Sequence, residues 1–164
     1  RPAPVDFQYV DLTQIIDEAL GLALLKARLM GITAEVSYDP SVPMVFADAG
    51  RLQQAMLNLM FNAIDAMPGG GTLTIVTQLS PDSRSIQVTV ADTGEGIPEE
   101  FADRVFTPFF TTRSTGTGLG LAVVAQVVSE HSGAIDFMCR PGGGTVFHVT
   151  LPTSPARCVP CARS

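Results

Sequence analysis

Apolar positions along the chain follow two periods that alternate. From residue 11 to 30, Leu12, Ile15, Ile16, Ala19, Leu20, Ala23 and Leu24 recur at helical spacing, and Gly31 supplies a stop. A second helix is predicted over 51–67, capped by Asp48 and ended by Pro68, Gly69, Gly70 and Gly71. A third runs over 119–131. Between the first two, short runs at 32–37 and 44–46, separated by Asp39-Pro40 and Pro43, read as strands. Alternating segments at 72–79 and 85–92 flank Pro81-Asp82-Ser83 as a hairpin, and 134–138 with 145–151 makes another around Pro141, Gly142, Gly143 and Gly144. Helices that alternate with antiparallel hairpins predict an α/β two-layer sandwich, with a mixed, mostly antiparallel sheet and helices on one face.

After Pro152 the chain turns to Pro, Ser, Ala, Cys and Arg, so 1–152 reads as one domain and 153–164 as a tail or linker. Charge narrows the partners. Sixteen acidic residues against ten basic ones give a net charge of −6, and Lys26 is the only lysine. That is a poor footprint for nucleic acid or an anionic membrane surface. Three cysteines give no disulfide framework, and no apolar run approaches a membrane span, so a reducing, cytoplasmic setting is expected. Cys158 and Cys161 in the tail fall short of the four ligands a zinc site wants.

Four segments carry chemistry. On the second helix Arg51, Gln54, Asn58, Asn62 and Asp65 fall within an arc of about 80°, while apolar residues cover nearly all the rest. A helix so apolar is mostly buried, and two asparagines at i and i+4 offer carbonyl oxygens side by side to a hard cation. A solvent-facing edge is the plainer alternative. Asp92 shares the parity of Ile86, Val88 and Val90, which points its carboxylate at the buried face, where it needs donors. An adenine amine is one such donor, and the backbone of Thr93, Gly94, Glu95, Gly96, Ile97 and Pro98 lets a flat ring approach; an Asx turn closing the strand is the alternative.

Arg113, Ser114, Thr115, Gly116, Thr117, Gly118, Leu119, Gly120 and Leu121 run straight into the third helix, where backbone N–H groups and the helix dipole favour an anion. The spacing is neither a P-loop nor a dinucleotide fingerprint. Ahead of it, Phe106, Phe109 and Phe110 with Thr111 and Thr112 would anchor one end of a lid whose other end is glycine. Last, Thr145 shares parity with Phe147, Val149 and Leu151 and brings an inward hydroxyl to the region of Asp92.

In this order and spacing, 58–63, 92–96, 106–112 and 116–121 resemble the N, G1, F and G2 boxes of sensor histidine kinases. The resemblance runs from about residue 10 to 151 and extends to the wider ATPase superfamily of gyrase, Hsp90 chaperones and MutL repair proteins. The tight Phe-Phe-Thr-Thr run and short lid are most similar to the nitrogen-regulation type. The resemblance implies a Bergerat-type ATP-binding fold. It implies that Asp92 binds the adenine amine, that Gly94, Gly96 and Ile97 line the base pocket with Thr145 nearby, and that Asn62 coordinates Mg²⁺ with Asn58 beside it. Phe109, Thr111, Thr112 and Arg113 would belong to the lid, with Arg113 near the γ-phosphoryl, and residues 116–121 would cradle the phosphates.

Two departures from the family pattern carry information. Hydrolysing members have a glutamate base where this chain has Asn58, and an amide cannot take a proton from water, which favours transfer. Many sensor kinases have a basic residue three positions after the second asparagine, where this chain has Asp65, so a structural or water-mediated part is expected of it. The resemblance also requires a phosphoacceptor histidine. His131, at a helix end, and His148, with outward strand parity, do not fit that role. The expected acceptor therefore lies on a separate dimerisation domain of the parent protein, with a response regulator downstream, and the isolated domain is expected to be monomeric. A nucleotide-sensing module without turnover and an ATPase of the chaperone or repair type are the competing functions.

Overall fold

The computed structural model describes residues 4–110 and 120–154. Strand β1 (Gln8–Val10) leads into helix α1 (Leu12–Leu29), where the Asp11 side chain accepts from the Thr13 and Gln14 N–H groups. Every third or fourth residue of α1, from Leu12 to Ala27, is buried, as its periodicity predicts. Strands β2 (Ile32–Ser37) and β3 (Val45–Ala47) follow, then helix α2 (Ala49–Asp65), β4 (Gly71–Leu79) and β5 (Ser85–Ala91). A 3₁₀ helix (Glu99–Arg104), helix α3 (Gly120–Glu130), β6 (Ala134–Cys139) and β7 (Thr145–Pro152) complete the fold.

The main sheet has the order β2-β4-β5-β7-β6, with β2 parallel to β4 and the other pairs antiparallel. Both predicted hairpins form, β4 with β5 and β6 with β7. The three helices pack side by side, α2 in the middle, over the face carrying Leu73, Ile75, Ile86, Val88, Val90, Phe147, Val149 and Leu151. This is the predicted two-layer α/β sandwich.

Three local differences have simple causes. The second short strand is Val45–Ala47, one residue later than 44–46, because Val45 and Ala47 supply its buried positions. Helix α2 starts two residues earlier than 51 and ends at Asp65, since the Asp48 cap acts at its first turn and Ala66 closes it. Strand β1, which pairs with β3 in a separate two-stranded sheet, and the 3₁₀ helix have no counterpart in the sequence reading: neither carries a full period of buried residues. Among the described residues no helix is long and apolar enough to cross a membrane.

Candidate functional site

The site is assembled where strand ends meet the central helix. Asp92 directly follows β5, keeps the inward parity of Val88 and Val90, and is 1% exposed. Its N–H donates to the Thr145 carbonyl at 2.9 Å, and its Oδ1 accepts from the Gly94 N–H at 2.8 Å and the Thr145 N–H at 3.2 Å. The predicted proximity of Thr145 to Asp92 is thus present, and the residue is 2% exposed, although the contact runs through its backbone. Arg140, in the turn between β6 and β7, donates to the Asp92 carbonyl at 3.1 Å.

The loop after Asp92 is tied to the end of α2. The Glu95 N–H donates to the Ala66 carbonyl at 3.1 Å, and the Thr93 N–H reaches the Met67 sulfur at 3.4 Å. A Cβ at residue 94 would collide with the Ala66 carbonyl, so glycine is required there by close approach. Gly144, at φ 103°, likewise sits against the Asp92 carbonyl, where a Cβ has no room. Gly96 has φ 76°, and the Ile97 carbonyl accepts from the Cys139 thiol at 3.1 Å.

Along α2, Asn58 and Asn62 are half-buried between the fully buried Leu59 and Ala63 ridge and the exposed side. The Asn58 side-chain amide donates to the Gly120 carbonyl at 3.3 Å, which joins the asparagine stripe to the first residue of α3. At the other end of this helix pair the Arg51 guanidinium binds both Glu130 carboxylate oxygens, at 3.0 and 3.1 Å. Between these contacts lies a cleft of about 310 Å³ bounded by Arg51, Gln54, Pro108, Val123, Gln126 and Glu130.

The predicted phenylalanine cluster at 106–110 is only partly present. Phe106 packs edge-on to Phe137 and Phe147 at 6.1 Å, and Phe110 meets Phe101 at 5.4 Å with Arg104 over both outer rings. Phe109 does not join them. Its backbone adopts φ 66° and its side chain is 76% exposed, in a turn whose Thr107 and Pro108 are exposed as well. Thr111, Thr112, Arg113, Gly116, Thr117, Gly118 and Leu119 lie outside the described residues, as do Cys158 and Cys161. Gly120 and Leu121 open α3, both half-buried.

Both histidines make contacts within the fold. His131 is buried, its Nε2 accepts from the Asp48 N–H at 3.0 Å, its Nδ1 lies 2.7 Å from the Val127 carbonyl, and its ring stacks on Phe7 at 4.8 Å. His148 meets the Thr89 hydroxyl at 3.1 Å across the strands. Asp48 itself is an α2 cap. Burial pushes its carboxyl pKa up, but the Asp6 and Arg51 N–H groups and the Arg51 charge outweigh this and hold it below the ordinary value. Sequence reasoning missed Lys26, whose ammonium meets Asp65 at 2.6 Å, and Arg140. The signal for Lys26 was present in its being the only lysine, at the last turn of α1, opposite an unexpected aspartate.

Residues 47–155 match the family of histidine kinase-, DNA gyrase B- and HSP90-like ATPases. The chain is 39% identical to the sensor histidine kinase ZraS of Klebsiella oxytoca over 94% of its own length and 33% of that protein's. It is 36% identical to the sensory histidine kinase/phosphatase NtrB of Rhodobacter capsulatus over 93% of its length and 45% of that protein's. The chain thus spans less than half of either curated relative. The nucleotide-free catalytic domain of the histidine kinase ThkA superposes with a TM-score of 0.82 at 34% identity, over 92% of this chain and 99% of that one. ThkA has also been solved in complex with the response regulator protein TrrA, where the match has a TM-score of 0.80 at 31% identity over 93% of this chain and 43% of the kinase. The chain therefore belongs to the histidine kinase-, DNA gyrase B- and HSP90-like ATPases, and within them to the ATP-binding catalytic domains of sensor histidine kinases.

Proposed function

We propose that this domain binds Mg·ATP and transfers the γ-phosphoryl to a histidine on a dimerisation domain of its parent protein, from which a response regulator is served. Residues 1–152 act as the catalytic domain and 153–164 as a tail, in the cytoplasm. The observation that carries the reading is the buried Asp92 carboxyl at the end of a central strand, framed by the Gly94 and Thr145 N–H groups. A carboxyl so held is an acceptor suited to the exocyclic amine of adenine. Gly94, Gly96 and Ile97 would line the base pocket, with Thr145 beside it.

The residues on α2 suit a magnesium ion. Asn58 commits its amide nitrogen to the Gly120 carbonyl, which orients its oxygen the other way, and Asn62 is its i+4 neighbour. Amide oxygens are acceptable ligands for a hard cation, and the bound ion would neutralise charge on the terminal phosphates. The N-terminus of α3 at Gly120 and Leu121, with Gly116, Thr117, Gly118 and Leu119 before it, would cradle the phosphates through backbone N–H groups. Phe109, Thr111, Thr112 and Arg113 would form the lid, Arg113 supplying the cation nearest the γ-phosphoryl. The acceptor imidazole nitrogen attacks phosphorus, the bond to the β–γ bridging oxygen breaks, and ADP leaves. Because Asn58 cannot deprotonate water, transfer is favoured over hydrolysis.

Mixing the domain with a dimerisation domain bearing the acceptor histidine and γ-labelled ATP should yield phosphohistidine. The label is lost in Asn62→Ala and retained, per folded molecule, in His131→Ala. Tight ATP binding without labelling of a competent acceptor would reduce the reading to nucleotide sensing. Rapid steady phosphate release would move it to the hydrolysing ATPases.

A further inference from the structure

Two oddities of the sequence, a solitary lysine and an aspartate on the ligand-facing stripe of α2, meet in one contact. Lys26 Nζ lies 2.6 Å from Asp65 Oδ1, joining the last turn of α1 to the last turn of α2. The same ammonium stands 5.4 Å from the centroid of the Phe61 ring, so an aromatic face and a carboxylate fix its position together. Asp65 is one turn beyond Asn62 and within about 20° of Asn58 around the helix, which puts its charge on the stripe assigned to the metal and phosphates.

We infer that Lys26 is a positioning residue for the polyphosphate: it neutralises Asp65 so that the asparagine stripe does not repel ATP. The inference rests on the nucleotide reading above and adds to it the residue that makes the α2 stripe compatible with a polyanion. An uncompensated carboxylate there would oppose each phosphate charge in a chain whose net charge is already −6. A cation at the carboxyl end of α1 also complements that helix dipole, so the sequence can hold it there at little cost. Both side chains are a little over 40% exposed, and the effect is therefore moderate and sensitive to salt.

A double-mutant cycle on the domain tests this, read as dissociation constants for Mg·ATP, ADP and adenosine at low and high salt. Lys26→Met keeps the apolar stem against Phe61 and removes the charge. It should weaken Mg·ATP about three- to fivefold at low salt, ADP somewhat less, and adenosine not at all. Asp65→Asn should tighten Mg·ATP about twofold, and the double variant should return to within about twofold of the wild type. Equal weakening of adenosine by Lys26→Met would reduce the pair to a structural tie and overturn the proposal. So would weaker Mg·ATP binding in Asp65→Asn, or a double variant as weak as Lys26→Met, which would put Lys26 directly on the phosphates. Asp92→Asn separates the underlying reading: if it leaves adenosine and ATP binding intact, the nucleotide site itself is misassigned and this proposal falls with it. If Asp92→Asn abolishes binding while the cycle shows no charge dependence, only the role of Lys26 fails.

Discussion

The two ends of the candidate site are built on opposite plans. At the strand end, Asp92, Gly94 and Thr145 are held by backbone groups of three segments, β5, β7 and the loop against α2, and Asp92 and Thr145 are almost wholly buried. Along α2 the corresponding residues are side chains on a half-exposed stripe, Asn58 and Asn62 with Asp65 paired to Lys26 from another helix. A flat, neutral base is recognised by fixed shape and a few hydrogen bonds, which favours a rigid, dry socket. A polyphosphate is recognised by charge balance, which side chains, a metal and a helix terminus can supply without burial. The strand end should therefore answer to steric change and the helix stripe to charge.

Gly94→Ala should give the largest effect on the strand-end side. Its Cβ would run into the Ala66 backbone carbonyl, so the loop must move away from α2 and carry the Asp92 contacts with it. We expect a stability loss of about 1–3 kcal/mol, measured by thermal or denaturant unfolding. Adenosine and ATP affinity should fall together by about tenfold or more, because base positioning is lost. A variant that binds adenosine normally would mean that the loop is adaptable and the contrast between the two ends is overstated.

Asn62→Ala tests the other end. It should weaken Mg·ATP by about tenfold, worth about 1.4 kcal/mol, leave adenosine unchanged, and flatten the dependence of ATP affinity on magnesium concentration. Titration of nucleotide with and without a metal chelator reads this directly. If adenosine weakens equally, Asn62 supports the socket and is not on the phosphate side.

How far each end could be read in advance follows from the same division. Strand parity placed Asp92 and Thr145 inward, because a period of two leaves no alternative once Ile86, Val88 and Val90 on one strand and Phe147, Val149 and Leu151 on the other are buried. The asparagine stripe was legible because α2 is apolar everywhere else. The Lys26 partnership was not, since Lys26 and Asp65 are 39 residues apart and only the packing of α1 on α2 joins them. Nor was the outward turn of Phe109, which depends on a positive φ that no pattern of phenylalanines encodes. The edge strand β1 was missed because three residues, with Tyr9 largely exposed and Val10 only partly buried, carry too little periodicity to register.

Asp48 gives the smallest and most selective probe, because it is buried like the strand end yet lies at the opposite end of α2 from Asp65. Its carboxylate accepts from the Asp6 N–H at 2.8 Å and the Arg51 N–H at 3.1 Å. Asp48→Ala removes an N-cap and should cost about 1 kcal/mol of stability near neutral pH, with nucleotide affinities per folded molecule unchanged. The folded-state pKa of Asp48 lies below the ordinary value of 3.8, despite the opposing effect of burial. Its ionised form is thus the one stabilised on folding, and that contribution is fully present above the ordinary carboxylate range and disappears as pH falls through the folded value. The stability gap between wild type and Asp48→Ala should accordingly stay constant from about pH 5 to 8 and narrow below about pH 4, in unfolding curves taken across that range. A gap that held its full size in acid would show that the cap acts through packing of β1 and not through charge. A loss of ATP affinity beyond the unfolded fraction would mean that the two ends of α2 are coupled, and the separation between socket and stripe would have to be redrawn around the helix that joins them.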